Sequence, residues 1–169
     1  MQKLSNLIGL PVLETVTGTQ IGMVEEVLLD IDQAVICGVL IDSENWFFKA
    51  YGIGFEDLFS IGRDAIMVRG SEVIKDLADL SALSSIYRLQ DLTSKQIFTE
   101  TGFLLGILMD VVFDVITGEI RAYQVSDSII TDLLYGRQTM PLPQAQVIGP
   151  DKVIVPDTMA KLLHAEQIL

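Results

Sequence analysis

Four acidic residues occupy matching places in two halves of the chain, with Glu26 and Asp30 standing 84 positions before Asp110 and Asp114. Carboxylate oxygens are the ligands that hard cations such as calcium and magnesium prefer, so the four residues would form a cation site if the fold brought them together. The spacing of an EF-hand loop is absent. We therefore favour the alternative that these acids are solvated at strand ends.

One cysteine, Cys37, and one histidine, His164, complete the set of reactive side chains that we weigh. Cys37 lies in the apolar run VICGV, which predicts a small residue buried in a strand rather than a nucleophile. His164 lies in the last predicted helix and is expected at the surface. One residue of each type cannot build a Cys/His zinc site. We expect no catalytic residue, no metal, no cofactor and no enzymatic activity.

The charge balance restricts the classes of partner. Lys and Arg number 11 against 23 for Asp and Glu, which gives a formal net charge of −12. Such a surface repels phosphates, so we expect no direct binding of nucleic acid. A protein partner remains, and a basic one would be steered toward the chain by its charge.

The chain is expected to be soluble and cytoplasmic, without membrane insertion. The longest apolar runs, at 34–41 and 102–109, are far shorter than the ~20 residues that cross a bilayer as a helix. The first residues lack the apolar core and cleavage site of a signal peptide. A single cysteine cannot form an internal disulfide, which favours a reducing compartment.

An internal repeat accompanies the matching acids. At the same offset of 84, Gly18 and Gly22 match Gly102 and Gly106. The second copy then gains three residues, and SIGRDAIMV at 60–68 aligns with VIGPDKVIV at 147–155, where Gly62 and Asp64 match Gly149 and Asp151. Because glycines and aspartates match in the same order, duplication of one domain explains the pattern better than chance.

Each copy has the pattern of short antiparallel strands. We predict strands over 12–16, 20–31, 35–41 and 65–69, with Phe47 and Phe48 as a candidate start of another. Alternation over 20–31 places Glu26 and Asp30 on one face and five apolar residues on the other; the five are Ile21, Met23, Val27, Leu29 and Ile31. The alternation is imperfect, because Val24 and Leu28 are apolar on the face of the two acids. Gly18 and Gly102 fit tight turns. Gly22 and Gly106, inside strands, indicate a bulge or a bend of a small barrel.

Three segments have helical patterns. The segment 71–86 would link the two copies, since its apolar residues stand near helical spacing. The segment 126–136 would be a helix of the second copy alone. The last helix would follow Pro156, with Asp157 as its N-cap and with Met159, Leu162 and Leu163 facing inward.

These motifs resemble the PRC-barrel domain. The resemblance rests on the TGxxIG turn, the apolar strand ending in Asp, the β-branched strand, and above all FEDLFSIGRDAIMV at 55–68 with LPQAQVIGPDKVIVP at 142–156. It covers nearly the whole chain as two tandem copies. We therefore predict a mainly β fold of two small antiparallel barrels, over 1–70 and 87–169, with a helical linker over 71–86 and a C-terminal helix.

The resemblance implies a binding role rather than catalysis. The family includes the cytoplasmic domain of the photosynthetic reaction centre H subunit and the C-terminal domain of the ribosome maturation factor RimM. Neither uses the barrel as an enzyme. We expect an adaptor that docks a protein partner or a second copy of itself. Accessory roles resembling RimM at the ribosome, or the H subunit at a membrane electron-transfer complex, are the alternatives. The candidate contacts are aromatic or basic: Trp46, Phe47, Phe48 and Arg137.

Overall fold

The computed structural model describes residues 1–42, 50–80, 86–126 and 138–165. The chain divides into two compact units: unit 1 comprises Met1–Leu89 with Phe113–Glu119, and unit 2 comprises Gln90–Val112 with Ile120–Leu169. The described residues of both units form mainly antiparallel sheet, which confirms the predicted mainly β class.

The sheet of unit 1 is built from short strands around one long strand, β3. The strands of this sheet are β2 (Pro11–Glu14), β3 (Gln20–Asp30), β4 (Val35–Asp42), β5 (Tyr51–Gly54), β6 (Ser60–Ile61), β7 (Ile66–Val68), β8 (Lys75–Asp76) and β9 (Ile86–Arg88). The short strand β1 (Gln2–Lys3) lies in unit 1 but outside this sheet. The order of hydrogen-bonded neighbours is β6-β7-β2-β3-β4-β5-β8, with β9 pairing the end of β3. Three 3-10 turns lie at Leu4–Leu7, Phe55–Asp57 and Ser71–Val73.

Unit 2 repeats the central part of this arrangement. Its strands are β10 (Gln96–Thr99), β11 (Leu104–Phe113), β12 (Ile120–Ser126), β13 (Gln138–Pro141), β14 (Val147–Ile148) and β15 (Lys152–Val155). They are ordered β13-β12-β11-β10-β15-β14. The described helices of the chain are α1 (Leu77–Leu80), α2 (Leu89–Leu92) and α3 (Thr158–Ala165).

The strands β2 and β10 occupy equivalent places in the two repeats, each between two partner strands. Val12 pairs with Gly22 and Ile66, and Ile97 pairs with Gly106 and Val153. Val12 and Ile97 are thus equivalent although they stand 85 positions apart. In this strand the offset of 84 between the two copies is therefore wrong by one residue. The cause is the turn after the strand, which is one residue longer in unit 1 than in unit 2.

The equivalent strands bury equivalent side chains. Each unit has a fully buried or nearly fully buried trio: Val12, Ile66 and Val68 in unit 1, and Ile97, Val153 and Val155 in unit 2. The repeat also extends further toward the N-terminus than the matching glycines Gly18 and Gly102. Leu4 and Leu7 are buried in the same L-x-x-L spacing as Leu89 and Leu92. That spacing is visible in the sequence and would have revealed the earlier start.

The predicted alternation along the long strand β3 is wrong in part. Val27, Leu29 and Ile31 are buried, but Met23, assigned to the same face, is 46 % exposed, and Glu26 and Asp30, assigned to the opposite face, are buried. Every residue from Glu26 to Asp30 is buried, so both faces of this half of the strand are covered, and the register with β4 also shifts between Val24 and Glu26 and again between Leu28 and Leu29. Each inserted residue turns the following side chains to the other face of the sheet.

A continuous linking helix over 71–86 is also wrong. In this segment Lys75–Asp76 forms β8, which pairs with β5, and the described helix is limited to Leu77–Leu80. Pairing with an open sheet edge overrides the local helical pattern. The helix predicted over 126–136 lies outside the described residues except for Ser126, which ends β12.

The C-terminal helix is confirmed as α3. Met159 and Leu163 are buried as predicted, whereas Leu162 is exposed. Asp157 stands directly before the helix, and its carboxylate accepts hydrogen bonds from Thr101, from Oγ1 at 2.9 Å and from the backbone N at 3.2 Å.

Candidate protein-binding surfaces

The matching acids prove to be structural groups of the sheet. Glu26 and Asp110 are buried at equivalent places, and each accepts a hydrogen bond from the N–H of the next residue: Val27 N to Glu26 Oε1 and Val111 N to Asp110 Oδ1, both at 2.9 Å. A buried carboxylate requires such partners, because losing hydration without compensation is unfavourable. The expectation of solvated acids is wrong for both residues.

The second pair of acids closes the turn after the long strand. Asp30 Oδ1 accepts from Gln33 N at 3.0 Å, and Asp114 Oδ1 accepts from Thr117 N at 3.2 Å and from Ile116 N at 2.8 Å. Asp30 is buried and Asp114 is half-buried. Among the described residues, no three His, Cys, Asp or Glu side chains are grouped so that they would hold a metal ion. The four acids therefore do not form the cation site that their spacing suggested.

Cys37 is a poor nucleophile in its surroundings. It lies in β4 and is half-buried rather than fully buried as predicted. Burial raises the pKa of its thiol from 9.0 to about 11, and the negative charges of Asp30 and Glu56 add to the shift. The thiolate, which is the reactive form, is therefore rare near neutral pH. His164 belongs to α3, and its side chain lies outside the described part of the chain.

The matching glycines occupy turns and close approaches. Gly18 and Gly102 have φ of +68° and +93°, a conformation that side chains disfavour. Gly22 and Gly106 both lie where the first hairpin of each repeat shifts register. A Cβ on Gly22 would stand 2.9 Å from the backbone oxygen of Asp42 at an ordinary φ. Gly106 has φ +152°, and a Cβ there would overlap the backbone oxygen of Ser126.

The IG-x-D segments form a second pair of turns. Gly62 N donates to Ala65 O and Gly149 N donates to Lys152 O, both at 2.9 Å. Asp64 and Asp151 lie exposed within these turns, and Asp64 pairs with Arg63 at 2.9 Å. These residues hold the hairpins β6–β7 and β14–β15 and bring no reactive groups together. The candidate contacts Trp46, Phe47, Phe48 and Arg137 lie outside the described residues.

An apolar row crosses four strands on the outer face of unit 2. Leu104 pairs with Phe98, Phe98 pairs with Ile154, and Ile154 pairs with Val147. Residues directly opposite one another in a sheet project from the same face, so these four side chains are adjacent. Leu104 is 37 % and Val147 is 64 % exposed, and the neighbouring Phe103 is 69 % exposed. We call Leu104, Phe98, Ile154 and Val147 the apolar row.

A polar pair borders this row. Gln96 and Lys152 lie opposite each other two residues along β10 and β15, on the same face as the row. The Lys152 ammonium donates to Gln96 Oε1 at 2.6 Å. An apolar centre with a polar rim is the usual composition of a protein interface.

The equivalent positions of unit 1 have a different composition. There Gln20 pairs with Leu13, Leu13 pairs with Met67, and Met67 pairs with Ser60. The outer two residues, Gln20 and Ser60, are exposed and polar. The fold therefore tolerates polar residues where unit 2 has Leu104 and Val147.

Unit 1 has an apolar groove at another place. It has a volume of about 410 Å³ and lies beside the 3-10 turn Phe55–Asp57. Its wall includes Phe55, Glu56, Leu58, Phe59, Ile61, Val115 and Ile116. Phe59 is 53 % exposed and Ile116 is 85 % exposed. Glu56 is the charged member of this wall among the described residues.

The wall formed by Val115 and Ile116 is held in place by backbone contacts within unit 1. Ile36 N donates to Gly118 O at 2.9 Å, and Val35 forms a bridge with Glu119. Gly118, at φ +75°, lies against the Phe55 ring so closely that a Cβ would stand 2.8 Å from a ring carbon. The Asp114 carboxylate caps the turn as described above. The groove is therefore formed before any ligand arrives.

Comparison with known families agrees with this architecture. The family model of the PRC-barrel domain matches residues 1–74 and 85–162. The chain belongs to the PRC-barrel family. The two matches confirm two PRC-barrel copies in tandem. A search of the curated proteins found no match to this chain. Within the described residues, the PRC-barrel chain contains no helix of the length and apolar character needed to cross a membrane.

Proposed function

We propose that this tandem PRC-barrel protein is a non-enzymatic adaptor of the cytoplasm that binds a protein partner through unit 2. The observation that carries the proposal is the apolar row. Its outer members, Leu104 and Val147, replace the polar Gln20 and Ser60 of the other repeat. Because the fold accepts polar residues at these positions, the apolar residues are better explained by contact with another molecule than by folding.

The chemistry of the described side chains supports binding rather than catalysis. Glu26 and Asp110 are buried and hydrogen-bonded to the backbone, and Asp30 and Asp114 hold turns. The Cys37 thiol has a raised pKa and is mostly protonated near pH 7. An enzyme site needs a pocket in which polar or titratable groups converge. The groove of unit 1 offers Glu56 and Ser60 among apolar side chains instead.

The test replaces two residues of the apolar row with the residues that unit 1 has at the equivalent positions. In the double variant Leu104→Gln and Val147→Ser, unit 2 receives the polar residues that unit 1 has at the same positions. Exposed substitutions of this kind change stability by less than about 0.5 kcal/mol, so the fold is expected to persist. The wild-type chain and the variant are used as bait in a native lysate, and retained proteins are quantified by mass spectrometry.

The expected result is one or a few proteins retained by the wild-type chain and reduced at least about tenfold by the double variant. Val16→Ser is the matched control, because Val16 is an exposed apolar residue in a turn of unit 1. Retention that is equal for both variants and the wild type would contradict the proposal. Ribosomal subunits among the specifically lost proteins would assign the adaptor to the ribosome, as in the RimM alternative.

A further inference from the structure

We infer that the groove of unit 1 is a second binding surface, and that it takes a basic segment of a partner protein with an apolar side chain inserted beside Phe59 and Ile116. The inference rests on the proposed adaptor function and adds a site and a partner chemistry to it. Both residues are exposed by more than half of their surface although they line a concave apolar space. An anchor side chain entering this space would cover both.

Charge selects the class of partner. Unit 1 contains 15 acidic and 6 basic residues, whereas unit 2 contains 8 acidic and 5 basic residues. Most of the net negative charge of the chain therefore lies in unit 1, which contains the groove, rather than in unit 2, which contains the apolar row. A concentration of one sign of charge attracts the opposite sign and raises the rate of encounter.

The charged residue that lines the groove agrees with this selection. Glu56 lies in the wall, and its side chain is largely exposed. The nearby Lys75 is matched by Asp57 at 2.8 Å and lies 4.0 Å from Glu56. Arg69 lies over the Phe59 ring with its guanidinium carbon 4.3 Å from the ring centre. Arg69 thus already supplies the cation on this face of the ring, so the basic residues of a partner would pair with Glu56 and the partner's apolar side chain would contact Phe59.

The shape of the groove favours an apolar anchor over a purely ionic contact. Phe55, Leu58, Ile61 and Val115 line it, and the volume of about 410 Å³ accommodates one large side chain with its flanking backbone. Surface ion pairs alone contribute little to affinity, since water and salt screen them. The apolar insertion would supply most of the affinity and the acidic surroundings would supply selectivity.

Three synthetic heptapeptides test the inference on the full chain. The first has leucine, tryptophan and leucine at its centre with two lysines at each end. The second has glutamates in place of the lysines, and the third has glycine and serine in place of the apolar centre. Methyl and amide NMR spectra of the protein are recorded during titration with each peptide.

We expect the first peptide to shift the signals of Ile116, Leu58 and Ile61, and the other two to leave them unchanged. Ile116→Ser should weaken binding of the first peptide at least about tenfold, because the exposed anchor contact is lost. Glu56→Lys should weaken it by a smaller factor, about three- to fivefold, and lower its dependence on salt. Val16→Ser and Glu25→Lys are matched controls at exposed positions outside the groove and should stay within about twofold of the wild type.

Other outcomes would overturn the inference. Equal binding of the acidic peptide would remove the charge argument, and shifts confined to the apolar row would remove the site. A dimer by light scattering that Ile116→Ser dissociates would assign the groove to a second copy of the chain. These outcomes are distinct from failure of the proposed function, which is tested through Leu104 and Val147. The adaptor role stands if the Leu104→Gln, Val147→Ser double variant no longer retains the partner, whatever the peptides do.

Discussion

The two units share their turns and their core and differ on their outer faces. Val12 and Ile97 occupy the same place between two strands, and Gly22 and Gly106 face them at the same bulge. On the outer face of the sheet, however, unit 1 has Gln20 at the position where unit 2 has Leu104 of the apolar row. The repeat therefore preserves what the barrel needs to close, while the solvent-facing positions differ in composition between the two units.

The charges of the units diverge in the same way. Unit 1 has 9 more acidic than basic residues, and unit 2 has 3 more. A basic partner would therefore prefer unit 1, and a partner that buries apolar surface without net charge would prefer unit 2. Two surfaces with different preferences would allow one chain to hold two partners, which is the property expected of an adaptor.

The largest expected effect separates the two bulge glycines. Gly106→Val introduces a side chain at φ +152° and against the Ser126 carbonyl, whereas Gly22→Val meets Asp42 O at an ordinary φ. We expect Gly106→Val to destabilise unit 2 by about 2–6 kcal/mol, the sum of backbone strain and overpacking, and Gly22→Val to destabilise unit 1 by about 1–3 kcal/mol. Urea unfolding followed by amide NMR measures each unit separately. Equal losses would show that the two bulges are not distinguished by φ.

The second largest expected effect is on the rate at which the Cys37 thiol is alkylated. Its pKa of about 11 lies above the ordinary value of 9.0, so at pH 8 the thiolate fraction falls from about one tenth to about one thousandth. Alkylation by iodoacetamide at pH 8 should therefore be about 100-fold slower in the folded chain than in a denatured one. The rate should rise tenfold per pH unit until about pH 11. A plateau near pH 9 would contradict the raised pKa.

The buried acids give the third comparison. Asp110→Ala removes a carboxylate that accepts from Val111 N, and Glu26→Ala removes its counterpart on Val27 N. Because each loss leaves a buried N–H with one partner fewer, we expect about 1–3 kcal/mol of destabilisation in the unit concerned. Asp64→Ala, at an exposed acid, is the control. A thermal midpoint unchanged in both buried variants would mean that these acids are not structural.

The smallest expected effect concerns a contact of Thr101 whose counterpart in unit 1, Thr17, has other partners. Thr101 donates to Asp157 and lowers the pKa of that carboxyl, whereas its counterpart Thr17 donates to Glu14 and Thr19. A carboxyl whose folded pKa is lowered stabilises the fold above its unfolded pKa, and this contribution is lost as the pH falls through the folded value. Thr101→Val should raise the pKa of Asp157 toward its ordinary range in an NMR titration. Thr17→Val should leave it unchanged.

Much of the repeated scaffold was predictable from the sequence. The long strand, the β-branched strand after it and the C-terminal helix follow from local patterns, and the PRC-barrel family follows from the TGxxIG and IG-x-D segments. The faces of β3 were not predictable by alternation, because bulges after Val24 and after Leu28 change the parity. Lys75 and Asp76 joined β5 because an open strand edge was available, which no local pattern reveals.

Neither of the two proposed binding surfaces was predictable from the sequence. The apolar row depends on the parallel pairing of Phe98 with Ile154, two residues far apart in the chain. The groove depends on Ile116 lying beside Phe59, which is also a long-range juxtaposition. The aromatic segment that the sequence favoured, Trp46 to Phe48, lies outside the described residues and stays a prediction.

Site-specific photo-crosslinking in cells tests the adaptor account most directly. A photoreactive amino acid is placed at Val147, at Ile116 or at Val16 in otherwise unchanged chains, and cross-linked products are identified by mass spectrometry. The account predicts discrete adducts with partner proteins from Val147 and from Ile116, and none from Val16. Adducts absent from both surfaces, or equally abundant at Val16, would contradict the claim that this tandem PRC-barrel protein is a protein-binding adaptor.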